Sequence, residues 1–113
     1  MIEIYPNSTC TKSRNAITIL EEKNIEFSIR NYIDNPLNDL EIKNLQRLLQ
    51  VPLIDMIRTK ESTYINLFGS STPTEEELLQ ALLQYPILLQ RPIVVNGNRA
   101  VIARPPERVL EIL

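Results

Sequence analysis

The chain has 113 residues, with 14 acidic side chains against 12 lysines and arginines, and its formal net charge of −2 argues against nucleic-acid or membrane binding driven by overall basicity. It has no histidine, which excludes Ser-His-Asp catalysis, Cys-His catalysis and histidine-ligated metals, and its one cysteine excludes an internal disulfide and a Cys-type zinc site. Neither an export signal nor an apolar run long enough to cross a membrane is present, so we expect a cytoplasmic protein without a bound metal.

The first 30 residues predict a β-α-β unit. Apolar and polar residues alternate over residues 1–5, as in a short strand, and residues 6–9 form a loop. A helix follows to about Lys23, where Asn24 suits a C-terminal cap. Residues 27–30 alternate again as a second strand, and the crossover between the two strands is expected to be right-handed.

The middle of the chain predicts another helix and then short helical turns. Residues 38–41 (Asn-Asp-Leu-Glu) form a capping-box pattern that opens this helix, and Val51-Pro52 closes it. Between residues 52 and 71 we expect only short helical turns, around residues 53–54 and 65–67. The apolar face of the helix that opens at residues 38–41 consists of Ile42, Leu45, Leu48 and Leu49.

Another helix start lies at residues 72–75 (Thr-Pro-Thr-Glu). We expect Thr72 as the N-cap, Pro73 in the first helical position and Glu75 three residues after the cap. Pro86 disfavours helical backbone at Tyr85, so this helix is expected to stop there. Its apolar stripe consists of Leu78, Leu79, Leu82 and Leu83.

The last part of the chain predicts a β-hairpin and a helix. Strands at residues 93–95 and 99–103 flank Asn96-Gly97, a pair that supplies the two positive-φ residues of a type I′ turn. Arg104-Pro105-Pro106 then ends the second strand. The closing helix is amphipathic, with an apolar face of Val109, Leu110 and Leu113.

Together these elements predict an α/β protein with the thioredoxin fold. The order β-α-β, a helical stretch, then β-β-α is that of a thioredoxin-like, glutaredoxin-type four-stranded mixed sheet with a helical insertion. We expect one domain over residues 1–113, with the insertion at about residues 38–84.

Cys10 lies between the first strand and the first helix, where exposed amides and the helix dipole favour negative charge. Such a position lowers a thiol pKa from ~8.5 to within ~3.5–7.5, and Lys12 and Arg14 add positive charge. The helix N-terminus, with Thr11, Lys12 and Ser13, also suits an oxyanion. A lone cysteine is more often a small buried hydrophobe, but its polar neighbours here favour a thiolate nucleophile.

The fourth residue of the Cys10-Thr11-Lys12-Ser13 motif is serine rather than cysteine. A dithiol motif resolves its own mixed disulfide, and this motif cannot. If Cys10 performs redox chemistry, the second thiol must come from outside the motif, and glutathione is the simplest source.

Three arginines occur in informative settings. Arg91 precedes Pro92 at the start of the third strand, where a thioredoxin fold carries a cis-proline loop, Arg104 ends the fourth strand, and Arg58 lies in the middle segment. Arginine binds oxyanions through planar, bidentate donors that stay charged. Each arginine alone is more often a solvated surface charge, and only the fold can bring the three together.

Three segments resemble the glutaredoxin-coupled arsenate reductase (ArsC-like) family: residues 4–15, 85–95 and 104–113. The resemblance implies that Cys10 is the nucleophile and that Arg58, Arg91 and Arg104 bind the oxyanion. It also implies that arsenate is reduced to arsenite, with glutathione as co-substrate, glutaredoxin as partner and no bound cofactor.

Two features depart from the family pattern. The family loop usually has histidine where this chain has Pro6, and proline where it has Ser8. That histidine is credited with keeping the cysteine ionised, so its replacement leaves this role to the helix N-terminus and the arginines. Longer members continue with a polar tail beyond the position of Leu113, so we expect a short form of the family.

Two alternatives stay open. One is a glutathione-linked thiol-disulfide reductase of the same fold, which would not need the three arginines. The other is a redox-type regulator that binds RNA polymerase, a class that senses redox state through a Cys-x-x-Cys pair. Ser13 removes that pair here, which disfavours the regulator.

Overall fold

The structure, a computed structural model, describes residues 2–6 and 11–113. The backbone groups into two units, one formed by Met1–Asn35 with Arg91–Leu113 and the other by Pro36–Gln90. The segment predicted as a helical insertion, at about residues 38–84, falls within the second unit, and the expectation of one domain over the whole chain stays a prediction.

The first unit contains a four-stranded sheet with strands β1 (Ile2–Tyr5), β2 (Phe27–Ile29), β3 (Ile93–Asn96) and β4 (Arg99–Ile102). The strand order is β2-β1-β3-β4. Strands β1 and β2 are parallel, whereas β3 runs antiparallel to both β1 and β4. The mixed sheet and the β-α-β start predicted from the sequence are therefore confirmed.

Helix α1 (Thr11–Glu22) connects β1 to β2 and buries one face against the sheet. It ends as predicted: Asn24 has a φ of +57°, and the Ile25 amide donates to the Leu20 carbonyl at 3.0 Å. Alternate residues of β1, Ile2 and Ile4, belong to the same buried core as Ala16 and Leu20 of this helix. The buried core of the unit consists of Ile2, Ile4, Ala16, Leu20, Val94, Val101, Ala103, Val109 and Ile112.

The hairpin β3–β4 forms where predicted, but its register differs by one residue. Asn96 pairs with Arg99, so the two loop residues are Gly97 and Asn98. Only Gly97 has a positive φ, at +63°, which fits a type II′ turn rather than the predicted type I′ turn. Asn96 stays in the strand, where its side-chain amide donates to the Ile112 carbonyl at 2.6 Å.

The C-terminal helix is a 3-10 helix, Pro106–Ile112. It buries Pro106, Val109 and Ile112, which are three residues apart and therefore share one face of a three-residue turn. The predicted apolar face was wrong in part, because Leu110 and Leu113 are exposed. The α-helical spacing assumed for that prediction does not apply to this tighter helix.

The second unit contains helices α2 (Asp39–Leu49), α3 (Ser62–Phe68) and α4 (Glu75–Gln84), with short 3-10 helices at Leu53–Met56 and Pro86–Leu88. The predicted capping box of α2 is confirmed: the Glu41 amide donates to the Asn38 side chain at 2.8 Å, and the Asn38 amide donates to the Glu41 carboxylate at 3.0 Å. Helix α2 buries Ile42, Leu45 and Leu48, whereas Leu49 is half-buried.

Helix α4 begins two residues later than predicted. Its N-cap is Thr74, not Thr72: the Glu77 amide donates to the Thr74 hydroxyl at 3.1 Å, and the Thr74 amide donates to the Glu77 carboxylate at 2.9 Å. Both threonines have a glutamate three residues later, so both fit a capping box. With Thr74 as the N-cap, three glutamates lie in the first turn of the helix, where the helix dipole favours negative charge. The helix ends before Tyr85, as predicted.

Candidate active site

The nucleophile predicted from the sequence, Cys10, lies outside the described residues, together with residues 7–9. The elements on either side are described: β1 ends at Tyr5, and α1 covers Thr11–Glu22. The chain therefore places Cys10 between the first strand and the first helix, as the sequence indicated.

The first turn of α1 is cationic on its exposed side. Lys12 and Arg14 are exposed, as is Thr11, and the described part of this turn carries no acidic residue. Ser13, in contrast, is fully buried and engages a partner. A negative charge near this turn would meet two cations and the positive end of the helix dipole.

In the first unit, the Arg104 side chain contacts the backbone of Arg91, 13 residues earlier in the chain. The Arg104 guanidinium donates through Nη1 to the Arg91 carbonyl oxygen at 3.1 Å. Beside this contact, the Ala103 amide donates to the Pro92 carbonyl at 2.9 Å. The Arg91–Pro92 peptide is cis, which confirms the predicted cis-proline at the start of β3, and the Arg104–Pro105 peptide is also cis.

The Arg91 side chain has an unsatisfied donor. Its Nε atom is buried, and no hydrogen-bond acceptor reaches it from residues 2–6 or 11–113. A buried polar group without a partner costs about 1–3 kcal/mol, so such groups in folded proteins generally have an acceptor. Within the same described ranges no carboxylate lies at ion-pair distance from Arg91 or Arg104.

Arg58 belongs to the second unit, where two acceptors hold its guanidinium. Nη2 lies 3.2 Å from a carboxylate oxygen of Glu61, and Nη1 donates to the Ile87 carbonyl at 3.1 Å. The Arg58 side chain is only 18% exposed, so it is not a solvated surface charge. The structure thus places the Arg104 guanidinium against the Arg91 backbone. That Arg58, Arg91 and Arg104 bind one oxyanion together stays a prediction.

Glu61, which contacts the candidate site residue Arg58, was not predicted from the sequence. The signal was present, because Arg58 and Glu61 are opposite charges three residues apart, a spacing at which side chains meet on one face of a helical turn. The Ile87 carbonyl could not have been found in this way, because it contacts Arg58 across 29 residues of sequence.

Two kinds of feature are absent from the described residues. Among them, no three side chains of histidine, cysteine, aspartate or glutamate are grouped as a metal site requires. None of the helices in that part of the chain has the length and apolarity needed to cross a bilayer.

Known proteins resemble this chain over nearly its full length. The model of the ArsC family matches residues 5–112. An arsenate reductase of Haemophilus influenzae is 38% identical over 112 residues, covering 97% of each chain. The uncharacterized protein YfgD of Escherichia coli K12 is also 38% identical, over 115 residues that cover 99% of this chain and 96% of that one.

A solved arsenate reductase from Vibrio cholerae has the same fold. Its structure superimposes on this chain with a TM-score of 0.91 at 37% identity, and the match covers 99% of this chain and 97% of that one. The thioredoxin-like architecture predicted from the order of elements is therefore confirmed.

Proposed function

The chain belongs to the ArsC family, and from this premise we propose that it is an arsenate reductase in which the Cys10 thiolate is the nucleophile. Relatives named as arsenate reductases from Haemophilus influenzae and Neisseria meningitidis align with it over 97% of their own length, so the proposal does not depend on one shared motif. Arsenate is a tetrahedral oxyanion, and its recognition needs charged donors.

The observation that carries the proposal is the buried Nε of Arg91, which has no acceptor among the described residues. The Arg91 residue is half-buried, and a guanidinium whose Nε lacks an acceptor is suited to an oxyanion that brings its own acceptors. Arg104 lies against the Arg91 backbone and adds a second positive charge. A disulfide substrate would offer neither the charge nor the oxygen acceptors that this pair of arginines favours.

The positive charges have an electrostatic role in the proposed reaction. A thiolate and an arsenate ion repel each other, and cationic donors around the substrate offset that repulsion and stabilise the charge of the transition state. Arg91 and Arg104 supply part of this field, and the exposed Lys12 and Arg14 add to it from the first turn of α1. The proposal also assigns Arg58 to the oxyanion, because it falls at the matching motif position of the family.

The proposed chemistry needs two thiols for each arsenate. The Cys10 sulfur bonds to arsenic with loss of one arsenate oxygen as water. A second thiol then bonds to the Cys10 sulfur, the sulfur–arsenic bond breaks, and arsenic keeps the electron pair and leaves as arsenite. In the balanced reaction, dihydrogen arsenate and two thiols give dihydrogen arsenite, one disulfide and one water. We propose glutathione as the second thiol and glutaredoxin as the protein that regenerates Cys10, because Ser13 cannot act as a resolving thiol.

A coupled assay tests the proposal. Arsenate-dependent oxidation of NADPH is followed with glutathione, glutaredoxin and glutathione reductase supplied, and Cys10→Ser is expected to abolish it. Lys43→Ala, at an exposed position of α2, is the matched control and should retain full activity. Retained activity in Cys10→Ser would contradict the assignment of the nucleophile.

Two further arms of the same assay test the reductant and the substrate. Thioredoxin with thioredoxin reductase replaces the glutaredoxin system in one arm, and activity only in that arm would contradict the proposed partner. A small disulfide replaces arsenate in the other. Turnover of the disulfide without turnover of arsenate would instead favour the thiol-disulfide reductase.

A further inference from the structure

The Arg58–Glu61 ion pair is fixed by the backbone rather than formed by two flexible side chains. The Glu61 amide donates to the Arg58 carbonyl at 3.0 Å, which closes a turn between the two residues. The Arg58 amide donates to the Leu88 carbonyl at 2.8 Å, and Ile57 forms a bridge with Leu89. The same segment around Leu88 supplies the Ile87 carbonyl that accepts from the Arg58 guanidinium.

This pair is shielded from water more than a typical surface pair. The side chains of Arg58 and Glu61 are 18% and 20% exposed, and their charged atoms lie 3.2 Å apart. Partly buried charges are screened less by solvent and salt than exposed ones. The Glu61 carboxylate therefore offsets much of the positive charge that Arg58 presents to an approaching anion.

We propose that Glu61 tunes oxyanion binding by competing with the oxyanion for the Arg58 guanidinium. This inference rests on the proposed function, in which Arg58 is one of the oxyanion-binding arginines. Glu61 is then a positioning residue with two effects: its oxygen fixes the guanidinium, and its charge weakens anion binding. Arg91 and Arg104 have no such carboxylate among the described residues, so this control acts only on Arg58.

The charge and the position can be separated by substitution. Glu61→Gln keeps an oxygen that accepts from Arg58 and removes the negative charge. Glu61→Asp keeps the charge on a shorter side chain. Inorganic sulfate, which does not react with a thiol, is titrated by calorimetry into the full chain and each variant, and the KM for arsenate and the kcat are measured in parallel.

We expect Glu61→Gln to bind sulfate about 3- to 10-fold more tightly and to lower the KM for arsenate by a similar factor, with little change in kcat. Glu61→Asp is expected to keep the weaker affinity of the unaltered protein. A purely structural role for Glu61 would not produce tighter binding. Glu76→Gln controls for net charge, because Glu76 is an exposed residue of the same unit that accepts from the Gln80 amide.

Three results would overturn the inference: equal sulfate affinity in Glu61→Gln and Glu76→Gln, weaker binding in Glu61→Gln, or equally tight binding in Glu61→Asp. The gain should also disappear in the Arg58→Met background, and its persistence there would overturn the inference as well. Failure of the proposed function gives a different result, because arsenate would then not be turned over by the unaltered protein at all.

Discussion

The two units treat their candidate arginines in opposite ways. In the second unit, the Arg58 guanidinium contacts a carboxylate at 3.2 Å and a carbonyl at 3.1 Å. In the first unit, the Nε atom of Arg91 is buried, and it has no acceptor among residues 2–6 and 11–113. The Arg104 guanidinium donates through Nη1 to the Arg91 carbonyl. An arginine that already contacts a carboxylate is less ready to bind an anion than one whose donor lacks an acceptor.

The difference has a physical consequence for both stability and binding. A satisfied, partly buried ion pair contributes to the folded state, and removing one partner leaves the other charge poorly solvated. A buried donor without an acceptor is instead a cost to the folded protein that a ligand can remove. Arg91 should therefore matter more for binding than for stability, and Arg58 should matter for both.

The largest expected effect is on catalysis at the first unit. Arg91→Met keeps the apolar stem and removes all guanidinium donors, and kcat/KM for arsenate is expected to fall about 100- to 1,000-fold, the range seen when one donor to a developing oxyanion is lost. Steady-state kinetics with the coupled assay measures this. A loss smaller than fivefold would contradict the difference between the two arginines, because the substrate would then not supply the acceptor that the Arg91 Nε lacks.

The next largest effect is on stability and separates the two arginines. Arg58→Met is expected to lower the free energy of unfolding by about 1–2 kcal/mol, because Glu61 is left partly buried without its partner. Arg91→Met should leave the free energy of unfolding unchanged or slightly raised, since it removes a buried donor that lacks an acceptor. Urea-induced unfolding of the two variants side by side checks the sign of this difference.

The smallest effect comes from a helix cap and serves as a structural control for the second unit. Thr74→Ala removes the hydroxyl that accepts from the Glu77 amide and should lower the free energy of unfolding by about 1 kcal/mol. Sulfate affinity should not change. A fall in sulfate affinity in Thr74→Ala would mean that lost stability alone weakens anion binding, and it would contradict the assignment of binding to the arginines.

Much of the fold could be predicted because local patterns carry it. The alternation in β1 and β2, the Asn38 capping box and the stop at Tyr85 each depend on neighbours within a few residues. Two of the errors occurred where two local solutions were equally good. Thr72 and Thr74 both fit a capping box, and Asn96-Gly97 and Gly97-Asn98 both fit a two-residue hairpin loop.

The candidate site was less accessible from sequence because its contacts are not local. Arg104 reaches the Arg91 carbonyl across 13 residues, and Arg58 reaches the Ile87 carbonyl across 29. The residue types and the cis-proline position could be predicted, but the state of each guanidinium could not. Whether a donor is satisfied depends on carbonyl groups, which are present at every position and leave no mark in the sequence.

The central claim is that the substrate oxyanion supplies the acceptor that the Arg91 Nε lacks. The most direct measurement is a proton–nitrogen correlation spectrum of the arginine Nε–H groups, recorded while arsenate is titrated into the Cys10→Ser protein. The account predicts that the Arg91 Nε–H resonance shifts with saturation and that its exchange with water slows. A resonance that stays unchanged at arsenate concentrations well above the KM of the unaltered protein would contradict it.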